Sequence, residues 1–136
     1  MPLFESIEIG QQLPQLVLPP LARATLALYA GASGDHNPIH IDSDHARAAG
    51  MEDVFAQGML PMAWLGRVLG AWVAQEQVLQ FDARFISLTR IGDQLLCSGA
   101  VTGKTEDASG RLVTVELQAV DQRGDRKIAG SALIRF

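Results

Sequence analysis

The sequence predicts an α+β fold in which helical segments come first and an antiparallel sheet, built from the second half, lays one face on a buried helix. Three observations carry this. Residues 59–73 are apolar almost all round, with Arg67 the one charge, and a helix without a polar face is a buried helix. From residue 80 onward the hydrophobic period changes to two, most clearly at Val113, Val115, Leu117 and Ala119. Turn chemistry then divides that half into four strand-like runs.

In chain order, residues 4–18 alternate loosely and end at Pro19-Pro20, which predicts one short strand or an extended arm. Residues 21–32 place Leu21, Thr25, Leu28, Tyr29 and Ala32 at steps of three and four, the spacing of an amphipathic helix. Residues 42–50 form a short helix, with Asp42 or Ser43 as N-cap and Gly50 as the stop. In the long helix Pro61 falls in the first turn, where proline is tolerated, while Gly66 and Gly70 leave one face bare for another backbone. The strands are predicted at 80–88, 95–104, 112–121 and 127–135 as a meander, broken at 91–93, 106–110 and 121–125.

Size and composition bound the function. A chain of 136 residues makes one domain, 1–136, with room for a real core. Its 48% hydrophobic content excludes disorder, and 19% charged residues is low enough to suggest apolar surface hidden in a subunit contact. A net charge of -4, with no cluster of Lys or Arg, speaks against a nucleic-acid partner. No basic segment leading into an apolar one opens the chain, so no secretory signal is expected. The longest uncharged stretch near the middle, 54–66, falls short of the roughly 20 residues that cross a bilayer, so no membrane partner is expected. The single cysteine, Cys97, has no internal partner, which fits a reducing cytosol, and it reads as a small core residue rather than a nucleophile.

Chemistry concentrates in Gly34-Asp35-His36-Asn37-Pro38-Ile39-His40. Asn37 precedes a proline and is pushed to extended conformations, so the helix through Tyr29 stops before it and the polar side chains fall on an irregular loop. Adding water to an activated double bond, or removing it, requires one group to take a proton and one to deliver it, with donors for an enolate-like oxygen. Asp35 and His40 suit the first two tasks, because a loop bent at Gly34 and Pro38 brings both to one water. The third suits backbone N–H groups at a helix start, and Gln57-Gly58-Met59 opens the buried helix. Each residue also has a structural reading: Asp35 as a turn cap, Asn37 as turn chemistry, His40 as a hydrogen-bonded core histidine. A metal site drawn from Asp35, His36, His40, Asp42, Asp44 and His45 matches no ligand spacing of a known type, and Pro38 breaks the helix regular spacing needs. Ser33 lacks the context of a nucleophile elbow, so no metal and no triad is assigned.

The run from Tyr29 to His40 resembles the signature of the MaoC-like (R)-specific enoyl-CoA hydratases and dehydratases. The segments 56–60 and 84–95 resemble that family's helix start and second strand motif, and order and spacing hold over about residues 5–135. The resemblance implies the hot-dog fold, a curled antiparallel sheet around one long helix. It also implies Asp35 and His40 as the catalytic pair, with Asn37, Gln57 and Gly58 around the substrate and the Gly58 N–H on the thioester carbonyl. The implied substrate is a trans-2-enoyl thioester of coenzyme A or acyl carrier protein, with no cofactor. A homodimer is expected, or a heterodimer with a related hot-dog subunit. Two departures stand out: Gln57 replaces a histidine common in the family, and the prolines usual around Thr89 and Ile91 are missing. A thioesterase of the same fold and a non-catalytic acyl-thioester-binding subunit remain the competing readings, since fold does not fix function.

Overall fold

The structure is a computed structural model that describes residues 1–108 and 110–136; Ser109, within the predicted break at 106–110, lies outside them. Helices α1 (Arg23–Ser33), α2 (Ser43–Ala48) and α3 (Met59–Gly70) occupy the first half after a two-residue strand β1 (Leu16–Val17). Strands β2 (Val78–Phe85), β3 (Leu96–Asp107), β4 (Gly110–Val120) and β5 (Arg126–Arg135) follow. The N-terminal segment is the expected extended arm: it lies along β3, with Val101 N–H donating to Gln11 and Leu13 N–H to Gly99.

The sheet is antiparallel throughout, in the order β1-β3-β4-β5-β2. This corrects the predicted meander, which holds only for β3-β4-β5. Because α3 carries the chain across the face of the sheet, β1 and β2 end as opposite edges, and β2 pairs with β5 alone. At that pairing a side chain on Gly130 would meet the Asp82 carbonyl oxygen at 2.7 Å, so the two backbones approach too closely for any residue but glycine.

The inward row of the sheet, Cys97, Val101, Val113, Val115, Ile128 and Ile134, packs on Leu65, Val68 and Leu69 of α3, all at most 2% exposed. Burying each such side chain contributes roughly 1.5–3 kcal/mol. Burial also pushes the Cys97 thiol up to about 11, so it stays protonated and packs as a core residue. A second, smaller cluster (Leu21, Leu26, Ala46, Val54, Ala56, Leu60) seats α1 and α2 against the start of α3.

The expectation that α3 is buried all round fails on one side. Met59, Ala63, Arg67 and Gly70 are exposed at three- and four-residue steps, because the sheet reaches round only part of the helix. Nor does a backbone fill the bare glycine face: the Phe81 ring of β2 lies 3.6 Å from where a Gly66 side chain would begin, and nothing lies near Gly70. Phe85, four residues along β2, sits in the same way 3.7 Å from Gly58, so edge strand and helix meet as ring against glycine.

A buried ionic network fixes the segment between β2 and β3. Lys127, 4% exposed, lies 3.3 Å from both Asp93 and Asp121, and Arg123 reaches each carboxylate at 2.7 Å. Asp93 also accepts from Arg90 N–H at 2.8 Å. Burial alone would raise the Asp121 carboxyl, yet hydrogen bonds from Arg123, from the Asp125 and Arg123 N–H groups and from Lys127 hold it far below the usual carboxylate range. The folded state therefore binds this proton less readily than the unfolded chain, whose Asp titrates near 3.9. The stabilisation contributed by Asp121 is complete well above pH 4 and is lost as pH falls through 4 and below. Thermal melts are expected to show a lower midpoint at pH 3.5 than at pH 6, and a shallower dependence in Asp121→Asn; an equal slope in that variant would remove Asp121 as the cause.

Candidate active site

The site begins where α1 ends. Gly34 takes φ 76°, the left-handed conformation that favours glycine, and its N–H closes the helix on Ala30. Ser33 donates its hydroxyl to Tyr29 C=O at 2.7 Å and accepts from Asp35 N–H at 3.1 Å, which fixes the direction in which the chain leaves. Asp35 Oδ1 accepts from Asn37 N–H at 3.2 Å, and Asn37 Oδ1 accepts from Ile39 N–H at 3.1 Å, capping the 3₁₀ turn Pro38–His40. The helix stops before Asn37, as the proline requires. Asn37 therefore shapes the loop through its side-chain oxygen.

These bonds leave Asp35 Oδ2 facing His40 Nε2 at 3.8 Å. The two side chains that the sequence singles out do converge. His40 is nearly buried and Asp35 half-exposed, so the pair lies where the interior meets the surface. His40 Nδ1 lies 2.7 Å from the Phe55 carbonyl oxygen, and its ring sits edge-on to the Phe55 ring at 5.0 Å. A carbonyl only accepts, so Nδ1 carries the hydrogen and a neutral His40 presents a bare Nε2 to Asp35. Tyr29 stands close by, its phenol raised by burial and then by the Asp35 charge, and so remains protonated.

Phe55 also leads to the second half of the site. It lines a cleft of about 370 Å³ with Gly58, Pro61, Phe85, Thr89 and Lys127. Gly58 precedes the first turn of α3 and is exposed, and no hydrogen bond within the described residues takes up its N–H. A helix start with a free donor in an apolar cleft favours a carbonyl that is gaining negative charge.

Gln57, grouped with the substrate-contacting residues on sequence grounds, is wholly buried. Its amide donates to the Leu26 carbonyl at 3.1 Å, tying α1 to the start of α3, and it does not line the cleft. His36 and His45 are exposed, and among the described residues neither side chain forms an ion pair or hydrogen bond with Asp35 or His40. Among the described residues no three His, Cys, Asp or Glu side chains converge as a metal site would need. Two contributors escape the sequence reading. Ser33 carries a faint signal, a hydroxyl two residues before Asp at a helix end; Phe55 carries none, because its part is played by a main-chain carbonyl.

An antiparallel sheet curled round one helix, with a carboxylate and an imidazole brought together in the loop after α1, is the arrangement of a hot-dog domain. Residues 6–123 match the model of the MaoC-like domain, and the chain belongs to this MaoC-like dehydratase family. It is 29% identical over 102 residues to an (R)-specific enoyl-CoA hydratase of Rhodospirillum rubrum, covering 74% of this chain and 69% of that protein. A solved structure described as a MaoC-like dehydratase superposes with TM-score 0.86 at 29% identity, over 99% of this chain and 42% of that one. The (R)-hydratase of A. caviae involved in PHA biosynthesis superposes with TM-score 0.81 at 24% identity, over 97% and 98% of the two chains, a likeness of fold.

Proposed function

We propose that the domain formed by residues 1–136 is a hydro-lyase that adds water across a trans-2-enoyl thioester to give the (R)-3-hydroxyacyl thioester, or runs the reverse dehydration. The observation that carries this is the 3.8 Å gap between Asp35 Oδ2 and His40 Nε2. It is too long for a direct hydrogen bond, yet it allows one water oxygen to sit about 2.8 Å from both. Asp35 accepts one O–H of that water and orients it, while bare Nε2 of His40 takes the other proton as the oxygen attacks C3. The imidazolium then returns the proton to C2 on the same face, so one C–O and one C–H bond form and the double bond is consumed. Gly58 N–H holds the thioester oxygen while it carries enolate charge. Asn37 holds the turn and Gln57 braces the helix start from behind; neither moves a proton. No cofactor enters these steps.

The substrate arm belongs to coenzyme A or to acyl carrier protein, and the protein works in the cytosol. Among the described residues no helix is long and apolar enough to cross a membrane. A dimer is the working form: edge strand β2 pairs on one side only, and Met59 (55%), Phe85 (53%), Ile86 (44%) and Leu88 (37%) stand exposed beside it. A second copy, or a related hot-dog subunit, would cover them.

The test is loss of enoyl-thioester absorbance with crotonyl-CoA and with a longer enoyl-CoA, followed by chiral analysis of the product and light scattering for mass. The expected result is an (R)-3-hydroxyacyl product from a species of twice the chain mass. Release of free thiol without hydration would make the protein a thioesterase. Binding without turnover in any oligomeric form would make it a binding subunit.

A further inference from the structure

The cleft beside Gly58 contains few polar side chains, and all but one are already committed. Ser87 donates its hydroxyl to the Arg126 carbonyl at 3.1 Å, and Lys127 is held by Asp93 and Asp121. The exception is Thr89. It is 3% exposed, its carbonyl accepts from Ala56 N–H, and its hydroxyl has no hydrogen-bond partner. Its neighbours Leu88 and Arg90 stand exposed while Thr89 is buried, and Thr89 lines the cleft with Pro61 and Phe85. A buried hydroxyl left unpaired costs stability that a valine of the same shape would not. Such an orphan in an otherwise apolar cleft is the mark of a bond completed by a ligand.

We propose that the Thr89 hydroxyl is a binding group for the amide next to the thioester in the substrate's pantetheine arm, donating to that amide's carbonyl oxygen. This inference rests on the enoyl-thioester reading of the site. Gly58 N–H is an uncommitted main-chain donor of the cleft, and Thr89 O–H is its uncommitted side-chain donor. A substrate that places its thioester carbonyl at Gly58 offers its next acceptor, the amide carbonyl oxygen, beyond two methylenes and the amide nitrogen. Coenzyme A and acyl carrier protein carry the same amide, so Thr89 recognises the arm rather than the carrier.

Thr89→Val removes the hydroxyl and keeps the shape. With crotonyl-CoA, crotonyl-acyl carrier protein and the crotonyl thioester of N-acetylcysteamine, all of which contain the amide, the variant should lose about three- to tenfold in kcat/KM, mostly through KM. With the crotonyl thioester of butanethiol, which lacks the amide, variant and wild type should agree within about twofold. Thr89→Ser should restore most of the loss, and the unliganded Val variant should melt no lower than wild type. An equal penalty on both kinds of substrate, or none on either, overturns the assignment; a loss on one carrier alone shows recognition of the carrier and overturns it as well. Calorimetry with butyryl-CoA, which cannot be hydrated, separates this from the function itself. If the wild type hydrates nothing but Thr89→Val still binds butyryl-CoA several-fold more weakly, the hydratase reading fails and the Thr89 site stands. Equal binding by the two proteins rejects the site whatever the activity.

Discussion

Replacing Asp35 by Asn is expected to lower turnover of crotonyl-CoA by about 10²- to 10⁴-fold, the usual reach of a positioned proton-transfer group. The substitution isolates the chemistry, because an amide oxygen can still accept the Asn37 N–H and keep the turn. What is lost is the second carboxylate oxygen, charged and facing His40 Nε2. His40→Asn should fall in the same range. In the double variant the two losses should not add, since one water is handled by both groups. Circular dichroism and melting midpoint are expected to stay near wild type for Asp35→Asn. Near-normal rates from both single variants on a substrate that the wild type hydrates would remove the pair from the mechanism.

The second large effect is on stability. Lys127→Met should destabilise the fold by about 3–5 kcal/mol, because it breaks a buried ionic network from one side. Asp93 and Asp121 would then share Arg123 alone, and Arg123 is the solvent-exposed member of the four. For a chain of this size the melting midpoint should fall by about 10 °C or more. Replacing the whole network with apolar residues of like volume is a different experiment and can be nearly neutral, since the desolvation of all four charges is then avoided. A Lys127→Met protein that melts within about 2 °C of wild type would show that Arg123 suffices.

The two predictions differ in how far the sequence announces them. Asp35 and His40 lie five residues apart on a loop whose bends are written locally, in Gly34 and in Asn37-Pro38, so the pair can be found without knowing the fold. The helices are legible for the same reason: α1, expected at 21–32, runs Arg23–Ser33, and α3, expected at 59–73, runs Met59–Gly70. Strands β3, β4 and β5 also fall close to their expected places. The placement of β2 is not legible. Its period of two marks a strand, but pairing with β5 rather than β3 is decided by the path of α3 across the sheet. The ionic network escapes because it depends on register: Asp93 and Lys127 are 34 positions apart, and the pairing of Leu96 with Val120 and of Val120 with Arg126 brings them to one end of the sheet. Gln57 is identified by its position beside Gly58, yet its side chain turns toward Leu26, a choice made by the packing of α1. The apolar sweep of 59–73 marks a core helix but does not reveal that one flank faces outward.

Position 55 divides its labour between two parts of one residue. The carbonyl that aligns the imidazole is supplied by any amino acid, whereas the ring that stands edge-on to that imidazole is peculiar to phenylalanine. A substitution here therefore keeps the hydrogen bond that fixes the imidazole's tautomer while changing the surface packed against its face.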